Sequence, residues 1–241
     1  MYLLRLSTVE IQAFPKTVSD EPLIASGHVP RSQWPDVNEG LRFSIIDDIG
    51  GGLVDLWELS PVRIDNNEQH TEKIIDRLFP NNPLLCAGRN RYRFDTKTRE
   101  DWRGGLAERQ FIVPSPMSAV RGTTKDGKQS KHTLSNTGSR RFLVCEFDSG
   151  SIDDQAALLL HLAEKAPLVL VVHSGSKSLH GWFYVHEKPE AMVKKFFRYA
   201  VNLGADRATW TRSQFVRMPD GVRETGVRQA VYFFNPSPVG N

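Results

Sequence analysis

Three groups of residues in the second half of the chain have the types and spacing to do chemistry. Glu146 and Asp148 stand at i and i+2 in the apolar run RFLVCEFD (141–148), so on a strand both carboxylates point to one face. Two adjacent acids repel, and ionising both beside an apolar sheet is costly unless a cation lies between them. Magnesium or manganese, which prefer oxygen ligands, are the natural compensation. Asp206 is the candidate third carboxylate, and three acids can hold two metal ions about 3.5–4 Å apart for in-line phosphoryl transfer. The second group is SGSKSLH (174–180). Its small residues let a tight loop bring backbone N–H groups to a phosphate, while Ser174, Ser176, Lys177 and His180 add donors and a cation. The third is Arg217, set in the apolar stretch 215–219, where a guanidinium suits bidentate phosphate contact.

The elements that must position these groups follow from the hydrophobic pattern. The run 141–148 reads as a strand, and Ser151 with Asp154 makes a capping-box start for the helix IDDQAALLLHLAEKA. LVLVVHS (168–174) and LHGWFYV (179–185) read as two further strands. Pro189 opens the helix EAMVKKFFRYAVNL, closed by Gly204, and SQFVRMP and QAVYFFN supply terminal strand material. Strand, helix, strand, strand, helix, strand is the ferredoxin-like, or split βαβ, order shared with RNA-recognition modules. In that topology the first strand lies between the third and fourth and runs antiparallel to both. The end of the first strand, carrying Glu146 and Asp148, should therefore meet His180 and Asp206 at one edge. Taken alone, E-x-D is also what a strand end entering solvent looks like; the convergence is what distinguishes it.

The first half is less patterned. Pro15, Pro22, Pro30 and Pro35 interrupt the first forty positions, LVDLWEL (53–59) after Gly50-Gly51-Gly52 reads as a strand, and HTEKIIDRLF (70–79) as a helix ended by Pro80. From 81 to 140 few periodic segments are visible. The net charge is +3 over 241 residues, but residues 87–141 hold thirteen Lys and Arg against five Asp and Glu. Tyr92, Phe94, Trp102 and Phe111 are interleaved with these cations, as a phosphate backbone with unstacked bases would require, and a solvated loop-rich face is the competing reading. Arg89, Arg91, Arg93 and Lys128 are the candidate template contacts. GTTKDGK (122–128) has P-loop spacing, yet Gln129 stands where Ser or Thr binds magnesium and no strand precedes it, so a Walker loop is rejected. His173 is set aside as a packed histidine. Cys86 and Cys145 suggest neither a disulfide framework nor a structural zinc site. MYLLRLSTVEIQ is too short in its apolar part for a secretory signal, and no run is long enough to span a membrane, so a cytoplasmic protein is expected.

The acidic pair on a strand, then S-G-S-K-x-L-H, then an Asp followed by Q-x-x-R-x-P resembles the archaeo-eukaryotic primase superfamily, including primase-polymerases of plasmids, phages and other mobile elements. The match covers roughly 141–235. The resemblance implies an α+β catalytic core of two lobes, an N-terminal α/β lobe (1–140) and an RRM-like lobe (141–241), with the active site between them. It implies Glu146, Asp148 and Asp206 as ligands of two Mg2+ or Mn2+ ions. It also implies Ser174, Ser176, Lys177 and His180 as the triphosphate-binding set, and Arg217 as a nucleotide-contacting arginine. Two positions depart from the pattern: the first acid is Glu where many relatives have Asp, and Ser178 replaces a common Gly. The cysteines for the family's frequent zinc element are lacking, and the chain ends at Asn241 without the helicase domain that many members carry, so a helicase is a candidate partner. The expected function is template-directed nucleotidyl transfer from nucleoside triphosphates on single-stranded DNA during replication. The rival readings are a non-catalytic RRM-like module that binds single-stranded nucleic acid, and a metal-dependent nuclease using the same carboxylates.

Overall fold

The computed structural model describes residues 34–65 and 67–240; the opening MYLLRLSTVEIQ and the breaks at Pro15, Pro22 and Pro30 lie outside them. In chain order the helices are α1 (Glu39–Ile49), α2 (Leu53–Glu58), α3 (Thr71–Leu78), α4 (Ile152–Ala163) and α5 (Glu190–Asn202). The strands are β1 (Leu84–Gly88), β2 (Phe94–Thr98), β3 (Phe111–Ile112), β4 (Gly122–Thr123), β5 (Gln129–Ser130), β6 (Phe142–Phe147), β7 (Leu168–His173), β8 (Leu179–Tyr184), β9 (Val216–Arg217) and β10 (Val231–Phe234). They form two four-stranded antiparallel sheets, ordered β2-β1-β3-β9 and β10-β7-β8-β6, and a separate β4–β5 hairpin.

Local chemistry accounts for the elements that the pattern predicts. Ser151 Oγ accepts from the Asp154 amide (3.1 Å) and Asp154 Oδ2 accepts from the Ser151 amide (2.9 Å), so the capping box starts α4. Helix α5 buries Val193, Phe196, Phe197, Ala200 and Val201, one stripe at helical spacing, and Gly204 turns the chain out at φ 101°. Both helices cover the face of the second sheet that carries Leu143, Cys145, Phe147, Leu179 and Phe183. The opposite face, with Phe142, Val144, Val172 and Trp182, packs against Leu85, Ala87, Ile112 and Val216 of the first sheet. The result is a helix layer, a sheet and a second sheet, in which side chains from both sides of residue 141 share one apolar core.

Three expectations change. Residues 53–59 are not a strand: α2 forms because Asp55 Oδ2 accepts from the Gly52 amide (2.6 Å) and Asp153 Oδ1 from the Leu53 amide (2.9 Å). Carboxylates thus satisfy the first-turn donors, one of them from α4, a partner that no local pattern reveals. The stretch 81–140 holds β1 to β5, with LLCAG a short apolar strand buried at its last four positions. The fourth strand of the ferredoxin-like order is absent from its place. Residues 215–219 give β9, which pairs with β3 in the other sheet, and β10 pairs with β7 at the far edge. Beside β6 lies the backbone of Asp206, whose N–H donates to the Glu146 carbonyl (2.8 Å).

Candidate active site

The antiparallel β6–β8 register sets Glu146 directly across from His180. Ser178 Oγ lies 3.1 Å from Glu146 Oε1 and 3.4 Å from His180 Nε2, and His180 Nε2 is 3.5 Å from Glu146 Oε1. His180 is 3% exposed, and burial, with Arg217 and His173 nearby, pushes its pKa down to about 3, so the ring is neutral. Its Nδ1 has no partner. Burial raises the Glu146 carboxyl above the usual range; repulsion from Asp206 and Asp148 adds to this, against the Ser178 hydrogen bond and the Arg217 charge. Asp148, at the strand end, pairs with Lys177 Nζ at 2.9 Å. Asp206 caps a 3-10 turn (Arg207–Trp210), its Oδ1 accepting from the Ala208 amide (2.9 Å). Trp210 anchors that turn by stacking on Phe197 of α5, 5.5 Å between ring centroids, and by an edge contact with Trp34.

The loop between β7 and β8 is closed by its own serines. The Ser174 amide donates to the Ser178 carbonyl (2.8 Å), and Ser174 Oγ accepts from the Ser178 amide (3.1 Å). Gly175 sits at φ 72°, where a β-carbon would also press on Val227 and Arg223. Gln155 of α4, fully buried, accepts from the Leu179 amide and donates to the Lys177 carbonyl, both at 2.9 Å. Arg42 of α1 braces the turn after Asp148 by donating to Ser149 Oγ (2.9 Å) and to the Ser149 carbonyl (2.6 Å). Arg217 lies over the Phe111 ring at 4.8 Å, and burial, then the neighbouring Arg223, lowers its pKa against the pull of Glu146.

Glu146, Asp148, Asp206, Lys177, His180 and Arg217 therefore share one end of the β6–β8 pair. Within the expected triphosphate set the side chains divide. Ser176 and Lys177 are exposed, whereas Ser174 and His180 turn inward and brace the loop and Glu146. Ser178 and Gln155 are the residues that sequence reading missed. Gln155 had a signal: it stands at helical spacing with Leu158, Leu159 and Leu162 on the apolar stripe of α4, where a polar side chain needs buried partners.

The basic stretch is not one free cationic face. Arg99 pairs with Glu72 and Asp76, Arg103 with Glu100, Lys131 with Asp95, Arg140 with Glu190, and Arg89 with Glu108. Trp102 is buried beneath Lys97 and Arg109, and Phe94 and Phe111 pack against Phe215. Tyr92 alone of those four aromatics is exposed, beside Arg91. Arg93 lines an adjoining cleft. Lys128 sits at the end of GTTKDGK, which folds as the tip of the β4–β5 hairpin rather than as a nucleotide cradle.

Three carboxylates are the ligand type that a hard divalent cation takes, and one of them, Glu146, is raised by burial first and then by the charge of the other two. Among the described residues no group of three or more His, Cys, Asp and Glu side chains is gathered closely enough to hold a metal ion, and the Lys177 ammonium provides the positive charge at Asp148.

The chain matches no protein-family profile, and no curated protein is similar to it in sequence. In fold it is similar to the AEP domain of the cyanophage S-2L primase-polymerase, with a TM-score of 0.45 and 14% identity, covering 68% of this chain and 91% of that domain. No helix among the described residues is long and apolar enough to cross a membrane.

Proposed function

We propose that the chain is a primase-polymerase that joins nucleotides from nucleoside triphosphates along a single-stranded DNA template. The observation that carries this reading is that the charges of Asp148 and Asp206 both act on Glu146 at the end of β6, beside the lysine and serines of the β7–β8 loop. A half-buried acid, Glu146, repelled by the exposed Asp148 and Asp206 and set next to donors suited to phosphate, favours transfer chemistry over passive strand binding. Glu146, Asp148 and Asp206 would hold two Mg2+ or Mn2+ ions, which supply Lewis acidity toward hydroxyl and phosphate oxygens. Lys177 leaves Asp148 for the triphosphate, Ser176 and the loop amides donate to its oxygens, and Arg217 balances its charge. Neutral His180 orients Glu146 through Ser178. In this reading residues 1–140 are the N-terminal α/β lobe, whose basic stretch 87–141 meets the template, and 141–241 the RRM-like catalytic lobe.

The test is incorporation of labelled ribo- and deoxyribonucleotides on single-stranded circular DNA, with magnesium or manganese, by the wild type and Asp148→Ala. We expect synthesis by the wild type and none by the variant, with DNA binding retained in both. Synthesis by Asp148→Ala overturns the role of that carboxylate, and loss of labelled template without extension would identify a nuclease.

A further inference from the structure

We infer that Tyr92 is a base-stacking residue, and that the tip joining β1 and β2 seats one unpaired base of a single strand on its way to the β7–β8 loop. This rests on the nucleic-acid reading above and narrows it to one side chain.

Tyr92 is 76% exposed, although an aromatic ring gains most from burial. It is not a loose surface residue, because the turn that presents it is held from three sides. Asn90 Oδ1 accepts from the amides of Tyr92 (3.0 Å) and Arg93 (2.9 Å), and the Arg89 amide donates to the Arg93 carbonyl (2.9 Å). Asn90 Nδ2 donates to Glu224 Oε1 (2.9 Å), which ties the tip to the 222–228 turn. The Arg91 guanidinium lies over one face of the ring, 4.8 Å from its centroid, and the high exposure of Tyr92 leaves the other face for a base. Pre-ordered aromatic and arginine side chains of this kind stack bases without sequence preference.

The setting gives the stacked base somewhere to lead. A cleft of about 500 Å3 opens between the tip and the 222–228 turn, lined among others by Arg89, Arg93, Val222, Arg223 and Glu224. Arg223 also donates to the Gly175 carbonyl (3.3 Å), so the far wall of the cleft is joined to the loop of the candidate active site. A strand whose base rests on Tyr92 thus meets Arg93 and Arg223 on the path from the tip to the site, in a cleft where Glu108 pairs with Arg89 and Glu224 holds Asn90.

The experiment measures binding of a labelled oligothymidylate, and of an abasic strand of equal length, by fluorescence anisotropy across a salt series. Stacking releases no counterions, so Tyr92→Ala should weaken oligothymidylate binding about 5- to 100-fold with an unchanged salt slope. Tyr92→Phe and Tyr92→Trp should bind as the wild type does, and the abasic strand should not distinguish Tyr92→Ala from it. Arg91→Ala with Arg93→Ala should do the reverse, reducing the slope by about 0.7 per lost phosphate contact. Equal oligothymidylate affinity for wild type and Tyr92→Ala overturns the inference, as does an equal loss on the abasic strand. No turnover is needed, so a stacking effect in a protein that incorporates no nucleotide would leave Tyr92 in place and remove the polymerase reading instead.

Discussion

At the scale of single residues, Glu146 is where burial and chemistry conflict most directly. Its carboxyl is raised, so it takes up a proton at a higher pH than an exposed acid, and activity that needs the carboxylate falls as pH drops through a window above the ordinary carboxylate range. Ser178→Ala removes the hydrogen bond that favours the charged form, and the acidic limb of the pH–rate profile should move to higher pH. Asp148→Asn relieves repulsion and lowers the Glu146 pKa, which a carboxyl signal in isotope-edited NMR would report. An acidic limb that stays in place in Ser178→Ala would remove Ser178 from the site. In the sequence Glu146, Asp148 and Asp206 stand out by type and position. Ser178 does not, because a serine in a polar turn has many uses and only the folded register puts it between Glu146 and His180.

At the scale of elements, the site depends on α4 as much as on the strands. Gln155 satisfies two backbone groups of the β7–β8 segment from a fully buried position. Gln155→Ala leaves both unpaired and should cost about 2–4 kcal/mol in chemical denaturation, with weaker triphosphate binding because the loop loses its brace. Unchanged stability would mean that the loop closes without α4. The elements from β6 to α5 were legible because their apolar periods are strong and their caps explicit. The partner of β9 was not. A two-residue strand carries no period, and its pairing with Phe111 and Ile112 is set by long-range packing. LVDLWEL misled for a related reason, since a carboxylate of α4 completes the start of that helix.

At the scale of the molecule, the core between the two sheets links the halves. Phe142→Ala empties a fully buried site in that core and should cost about 3–5 kcal/mol, with near-UV and far-UV signals lost together, because neither sheet keeps its covered face without the other. Separate transitions would show that the sheets fold independently. Acid should weaken the whole fold as well. His161, beside Tyr199, is held down to about 4 and His180 to about 3, against 6.5 in an unfolded chain. As pH falls below about 6.5 the unfolded state gains protons at both sites while the folded state does not, so stability declines through that window. His161→Gln should flatten part of that decline, read as the denaturation midpoint at pH 7 and pH 5. Long-range organisation of this kind is faint in sequence: the succession of elements could be read, but not which edge of the sheet β10 would join.

The amide of Asp206 is latched to the carbonyl of Glu146 by main-chain atoms alone. The backbone spacing between those two acids is therefore written into the peptide skeleton, and Glu146→Gln or Asp206→Asn, whose side-chain oxygen still accepts from the Ala208 amide, edits the reagents without redrawing the bench on which they stand. Variants silenced at these positions should keep the shape of the working protein, which makes them suitable for capturing a strand and an incoming nucleotide together before any bond is made.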